Sequence, residues 1–159
     1  MDFDNLLSRL QRMCSKSEKC EADIRKKLYQ WDVSEEEMGK IIHSLKEYGF
    51  INHQRYARSF ANDKMKFNHW GKKKIEYALR TRKIETEYIQ EALNAISEEE
   101  YERIIYEEIE KKNKALKTPD KSERKNKICN YLLQKGFESG KVFEFIESKL
   151  REDESDQSE

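Results

Sequence analysis

Proline, glycine and valine are scarce in this chain: one proline (Pro119), five glycines and two valines among 159 residues. Such a composition disfavours sheets and suits helices joined by short turns. No apolar run approaches the roughly 18 residues of a membrane span. The start, Met1-Asp2-Phe3-Asp4, lacks the basic residues and apolar stretch of a secretory signal, so a cytoplasmic protein is expected. The three cysteines, Cys14, Cys20 and Cys129, form no C-x-x-C, and His43, His53 and His69 are scattered. Reduced thiols are therefore expected, with no metal and no cofactor. A Gly-rich phosphate loop, a Cys/His nucleophile pair and HExxH are all missing, and the many carboxylates lie on helix faces beside bases. A binding protein is expected, not an enzyme.

What the chain does have is charge and helical periodicity. Charged residues make up 40% of it, 32 acids against 32 bases. Phe3, Leu6, Leu7, Leu10, Met13 and Cys14 recur at helical spacing. A second helix is expected from about Glu18 to Gln30, and a third after the capping box Ser34 to Glu37, ending at Gly49. A helix from Arg55 to Phe67 carries Tyr56, Phe60 and Phe67 inward, which turns Arg58, Asn62 and Met65 outward. After Trp70-Gly71, Ile75 and Leu79 mark another helix, and Ile89, Leu93 and Ile96 the next. Ser97 to Glu100 caps a helix with Tyr101, Ile104, Ile105 and Ile109. A polar link, Lys111 to Asp120, follows. Asp120 and Glu123 cap a helix with Ile128 and Leu132, and Val142, Ile146 and Leu150 mark the last.

The apolar positions repeat. Ile24, Leu28, Val33, Met38 and Ile42 match Ile75, Leu79, Ile84, Ile89 and Leu93 at an offset of 51, then Ile128, Leu132, Phe137, Val142 and Ile146 at a further 53. This is a tandem repeat of a three-helix module. The expected fold is all-α, with modules at 1–50, 51–96 and 97–150. A unit of this size is marginal alone, so neighbouring modules are expected to pack into an elongated, curved array. Residues 151–159, without an apolar side chain, are expected to form a disordered acidic tail.

The net charge of zero hides an alternation. Residues 51–84 hold 10 bases and 2 acids, residues 85–110 hold 1 and 10, and residues 111–136 hold 9 and 2. The two basic blocks fall at corresponding positions of the second and third modules. A step of about 100° per residue puts Lys73, Tyr77 and Arg80 together on the face opposite Ile75 and Leu79. An exposed tyrosine among cations suits phosphate contact with base stacking. Arg124, Lys125 and Lys127, in the second basic block, are candidate partner- or nucleic-acid-binding residues on the same ground. The other reading of these blocks is a solvated face, salt-bridged between neighbouring helices. Tyr56, Phe60 and Trp70 are read as core, and Gly71 as supplying freedom at the turn.

Arg55-Tyr56-Ala57-Arg58-Ser59-Phe60, then Trp70-Gly71-Lys72-Lys73-Lys74-Ile75 and Leu79, resemble the central signature of the RecX family of recombination regulators. Cys14, Ser17-Glu18-Lys19 and Ile24-Arg25-Lys26-Lys27-Leu28 resemble its opening module. Leu45 to Ile51 resembles the link into its second module, and Leu132-Leu133-Gln134-Lys135-Gly136-Phe137 its closing module. Three positions depart from that pattern. Gly71-Lys72 replaces the usual Gly-Pro, which leaves the helix start less rigidly set. Arg82-Lys83-Ile84 lacks the usual glycine cap, and Asn52-His53 replaces an acidic pair.

The resemblance implies a bacterial cytoplasmic protein that lodges on the filament of RecA and single-stranded DNA. There it would suppress strand exchange, ATP hydrolysis and the co-protease activity behind the SOS response. A monomer is expected, with single- or double-stranded DNA as a further partner and no membrane. The implied contact surface comprises Arg55, Arg58, Lys64, Lys66, Lys72, Lys73, Lys74, Arg80, Arg82 and Lys83, beside Tyr77. Two further readings stand beside this one: a DNA-binding protein acting without RecA, and a helical-repeat scaffold for another partner.

Overall fold

The computed structural model describes the backbone of residues 2–157 and the side chains of residues 2–152. Among them are nine helices and no strand: α1 (Phe3–Lys16), α2 (Glu21–Gln30), α3 (Glu35–Glu47), α4 (His53–Asn68), α5 (Lys72–Thr81), α6 (Thr86–Asn94), α7 (Glu98–Ala115), α8 (Lys121–Gln134) and α9 (Ser139–Gln157). Among the described residues no helix is long and apolar enough to cross a membrane. The fold is an all-α helical repeat.

Capping chemistry sets several of the starts. Ser34 Oγ accepts from the Glu37 N–H, and Ser97 Oγ from the Glu100 N–H, each at 3.3 Å. Both oxygens satisfy first-turn donors that the helix itself cannot. Asp120 accepts from the Ser122 N–H at 3.1 Å. α2 begins three residues later than its periodicity predicts, at Glu21, where Asp23 accepts from the Cys20 N–H.

The repeat is written into the backbone as well as the core. Asp32, Lys83 and Gly136, spaced by the same 51 and 53 residues, all take positive φ (55°, 58° and 94°). The next residue in each case donates back across the turn: Val33 to the Leu28 carbonyl, Ile84 to Leu79 and Phe137 to Leu132. This is one helix C-cap used three times, with the left-handed residue ending the helix and aiming an apolar residue inward. Lysine in that conformation costs roughly 1–2 kcal/mol, and glycine's looser unfolded chain offsets part of it. Lys83→Gly is therefore expected to stabilise the protein by roughly 0.5–1 kcal/mol, read from urea denaturation. A variant no more stable than the parent would show that the cap carries no strain.

Compact packing divides the chain into two units. Unit 1 is Met1–Phe60 with Ala78–Leu93, and unit 2 is Ala61–Tyr77 with Asn94–Glu159. The division falls inside α4, inside α5 and at the end of α6. In unit 1 Leu6, Leu10, Ile24, Leu28, Met38, Ile41 and Leu45 form the core, with Phe3, Trp31 and Val33 on its flank. In unit 2 Met65, Ile75, Tyr101, Ile105, Ile128, Leu132, Phe137 and Ile146 are buried. The Tyr101 and Phe137 rings meet there at 5.6 Å.

Three expectations are corrected. On α4 the inward stripe is Tyr56, Ala57, Ala61 and Met65, all buried, while Phe67 is 79% exposed. The buried arc centres on the two alanines, which carries Met65 in and Phe67 out. α7 continues to Ala115, which shortens the polar link expected from Lys111. α9 continues to Gln157 where an unstructured tail was expected from residue 151, since lack of apolar side chains does not prevent a helix from extending beyond its packed part. Ser158 and Glu159 lie outside the described residues.

Candidate functional site

The bases of the two basic blocks separate into those engaged inside the protein and those presented outward. In unit 1 Arg55 pairs with Glu18 and donates to the Gly49 carbonyl at 2.9 Å. Arg58 pairs with Glu91, which also accepts from Gln54 at 2.9 Å. Arg82 lies over the Phe60 ring at 4.8 Å and donates to the Ala78 carbonyl. Phe60 in turn stacks on the buried Tyr56 at 5.9 Å. Arg80 is exposed and bonds Thr86 at 3.3 Å, and Lys83 is exposed at the turn.

In unit 2 Lys72 pairs with Glu98 at 2.8 Å, and Lys66 approaches Glu100 at 4.0 Å. Glu98 also holds Lys141, and the Lys72 and Lys141 ammoniums keep its carboxyl below the usual range. Lys125 pairs with Glu147. Lys127 bonds Thr118 at 2.8 Å and lies 3.6 Å from Glu123. Arg124 donates to Asn113, Leu116 and Thr118, tying down the link between α7 and α8. Much of the charge alternation is thus consumed by pairing between neighbouring helices: α4 with α6, α5 with α7, and α8 with α9. Exposed pairs of this kind each contribute at most about 1 kcal/mol.

Around the α4–α5 turn the cations are arranged differently. Lys64 and Lys74 place their ammoniums over the half-buried Trp70 ring, at 4.9 and 4.5 Å. Lys73 and Tyr77 project from α5, with Tyr77 72% exposed, while Ile75 and Leu79 on the other side are fully buried. Exposed Phe67 closes the end of α4. The turn thus gathers exposed Phe67, Tyr77 and Lys73 with half-buried Lys64, Trp70 and Lys74, a combination that suits a polyanion with stackable rings.

The turn is held from beneath by contacts that the sequence does not announce. The first donors of α5 find tertiary acceptors: Gly71 N–H to the Lys135 carbonyl at 2.7 Å, Lys72 N–H to the Tyr101 hydroxyl at 3.0 Å, and Lys73 N–H to the Gly136 carbonyl at 2.9 Å. The helix start left loose by the missing proline is fixed in this way. A proline at position 72 would remove the donor that Tyr101 accepts. Tyr101 itself donates to Glu138, and burial first, then that bond, pushes its hydroxyl pKa up. Behind the turn, buried Glu108 accepts from Tyr131 and from His69 Nδ1, both at 2.6 Å, with Lys135 at 3.7 Å. His69 takes positive φ beside Trp70, so this network grips the turn directly. Neither Glu108 nor Tyr131 stood out in the sequence. A lone Glu on an apolar stripe, with Ile104, Ile105 and Ile109 around it, was the available signal.

Among the described residues no group of His, Cys, Asp or Glu is placed to hold a metal ion.

A family model described as "RecX, second three-helix domain" matches residues 52–93, and one described as "RecX, third three-helix domain" matches residues 98–146. The chain is 31% identical over 159 residues to the regulatory protein RecX of Clostridium acetobutylicum, covering 96% of this chain and 73% of that one. It is 35% identical over 121 residues to that of Clostridium botulinum strain Eklund 17B, covering 75% of this chain and 56% of the relative. Against the first of these two the match spans about three quarters of the relative, and against the second only about half. Among solved structures, a regulatory protein RecX superposes with a TM-score of 0.82 at 26% identity, covering 92% of this chain and 71% of that one. RecX from Lactobacillus salivarius shares the fold, with a TM-score of 0.80 at 22% identity over 94% and 96% of the two chains. On these matches and on the repeat they follow, the chain belongs to the RecX family of regulatory proteins.

Proposed function

We propose that this protein regulates the RecA recombinase by binding the filament that RecA forms on single-stranded DNA. It acts by contact and not by catalysis, and it suppresses ATP hydrolysis, strand exchange and the co-protease activity that triggers the SOS response. It works in the bacterial cytoplasm as a monomer of three modules, 1–50, 51–96 and 97–150. The observation that carries this reading is the set of exposed Lys73 and Tyr77 beside half-buried Trp70, whose ring the Lys64 and Lys74 ammoniums overlie, in a member of a family of regulators. Other bases of the same blocks, Arg55, Arg58 and Arg124 among them, are engaged within the fold. The contact surface is accordingly narrower than the basic blocks.

The test is RecA-catalysed ATP hydrolysis on single-stranded DNA with the protein titrated in. Inhibition is expected well below the concentration at which the protein binds the DNA alone. Combining Lys73→Glu with Tyr77→Ala is expected to raise the half-inhibiting concentration about tenfold or more, since one stacking contact alone is worth about 1–3 kcal/mol. Inhibition only where the DNA itself is saturated would favour a DNA-binding protein acting without RecA. No effect at saturation would leave the scaffold reading.

A further inference from the structure

We infer that unit 1 carries a second polyanion-binding surface, a cleft between α1 and the end of α2, that takes a segment of single-stranded nucleic acid. The cleft is open, about 540 Å³, and is lined by Arg9, Arg12, Met13, Lys16, Lys27 and Trp31. Arg9, Arg12, Met13 and Lys16 follow the i, i+3, i+4, i+7 spacing of one helix face, so their side chains converge along α1. Lys27 and Trp31 stand one turn apart at the close of α2 and face them. Four of the six lining residues are cations, and none is an acid.

This arrangement sits in the one region whose charge count gave no hint of it, since residues 1–50 hold 9 bases and 10 acids. Three of those acids are engaged elsewhere: Glu18 with Arg55, Glu21 with Lys46 and Arg25, and Glu35 with Tyr29. No acid stands among the residues that line the cleft. Arg12 and Lys16 are exposed, and neither makes an ion pair among the described residues.

The aromatic decides the class of ligand. Trp31 packs one side against the core of unit 1. Over its ring lie the Arg9 guanidinium at 4.7 Å and the Lys27 ammonium at 5.7 Å. Cation–π attraction holds both charges at the cleft and spares a ligand the entropy of ordering them. The Arg9 guanidinium also offers a plane on which an unpaired base stacks, while Arg12 and Lys16 track successive phosphates. An acidic protein segment would use the cations but gain nothing from the indole and guanidinium planes. Duplex DNA, with its bases already stacked, would likewise use only the charge.

The test uses the full chain carrying Trp70→Phe, which leaves Trp31 as the indole to observe, and an oligothymidylate about 12 nucleotides long. Quenching of Trp31 fluorescence is expected to saturate as the oligonucleotide is added. Adding Arg12→Gln and Lys16→Gln removes two cations from exposed positions. It is expected to weaken binding about tenfold and to reduce the slope of log affinity against log salt by about 1.4. Anisotropy of a labelled oligonucleotide, with these two changes made in the otherwise unaltered protein, gives the same comparison should Trp70→Phe disturb the fold. Saturation without quenching, unchanged affinity and salt slope in the double variant, or equal quenching by polyglutamate or duplex DNA would each overturn the assignment. RecA plays no part in this measurement, so its result stands apart from the ATPase titration.

Discussion

Replacing Gly71 with alanine is expected to destabilise the protein by about 3–5 kcal/mol, a large share of the roughly 5–15 kcal/mol that holds a domain folded. A Cβ at position 71 would lie 2.2 Å from the carbonyl carbon of Gly136 and from the backbone N of Phe137. These are main-chain atoms at a helix end, with no flexible side chain to swing aside. The approach is mutual, because a Cβ on Gly136 would come within 2.5 Å of the Lys74 backbone N. Relieving the clash means moving the α4–α5 turn away from the α8–α9 turn. That movement breaks the bonds from Gly71 and Lys73 to the Lys135 and Gly136 carbonyls and strains the one from Lys72 to Tyr101. Each buried donor left unmatched costs about 1–3 kcal/mol beyond the steric term. Gly39, inside α3 with nothing within 4 Å of its added Cβ, is the control. There alanine is expected to stabilise by about 0.5–1 kcal/mol, because it favours the helix and meets no neighbour. Urea denaturation of both variants decides the matter. Equal and small effects would mean that the two turns are not in contact.

That pair of glycines marks the limit of what could be read from the chain. The apolar repeat was legible because it depends on spacing within each helix pair. Ile24, Ile75 and Ile128 are all fully buried, as are Leu28, Leu79 and Leu132. Gly71 and Gly136 lie 65 residues apart, and their approach depends on which turns meet, which no local pattern encodes. The same holds for charge. Counting bases in residues 111–136 groups Arg124 with Lys125 and Lys127, and the count does not show that its guanidinium donates to Asn113, Leu116 and Thr118. Sums of charge along a chain do not distinguish a cation facing solvent from one facing a carbonyl. Met65 and Phe67 exchanged roles for a related reason: hydrophobic spacing alone ranked phenylalanine above the small residues Ala57 and Ala61, which set the inward arc. At the turn itself, the Trp-Gly pair and its flanking lysines were visible. The tyrosine hydroxyl and two carbonyls that hold it were not.

The network behind the turn gives the other large effect. Glu108 is 2% exposed and takes two hydrogen bonds and one more distant ammonium. Burial alone would raise its carboxyl pKa. Donation by Tyr131 and His69 and the Lys135 charge outweigh that, and the net shift is downward. A group whose folded pKa is depressed contributes stability above its unfolded value, and loses it as pH falls through the folded one. Glu108→Leu removes the acceptor and leaves Tyr131, His69 and Lys135 facing an apolar side chain, at an expected cost of about 3–5 kcal/mol near neutral pH. Glu108→Gln keeps one acceptor oxygen but no charge, and about 1–3 kcal/mol is expected. The gap between wild type and the glutamine variant should narrow as pH drops from 7 through the ordinary carboxylate range and below it. Glu21 and Glu98, also held low, destabilise both proteins alike in acid, so the difference isolates Glu108. The alkaline side supplies a second readout. Burial first, then donation to Glu108, pushes the Tyr131 hydroxyl up to about 12. A raised pKa gives stability that is full below the unfolded value and lost as pH rises through the folded one. With glutamine at 108 the Tyr131 ionisation seen by ultraviolet absorbance should move down. A stability gap that stays constant into acid, together with an unmoved tyrosine titration, would mean that Glu108 fills space at the turn and that its charge does not hold it.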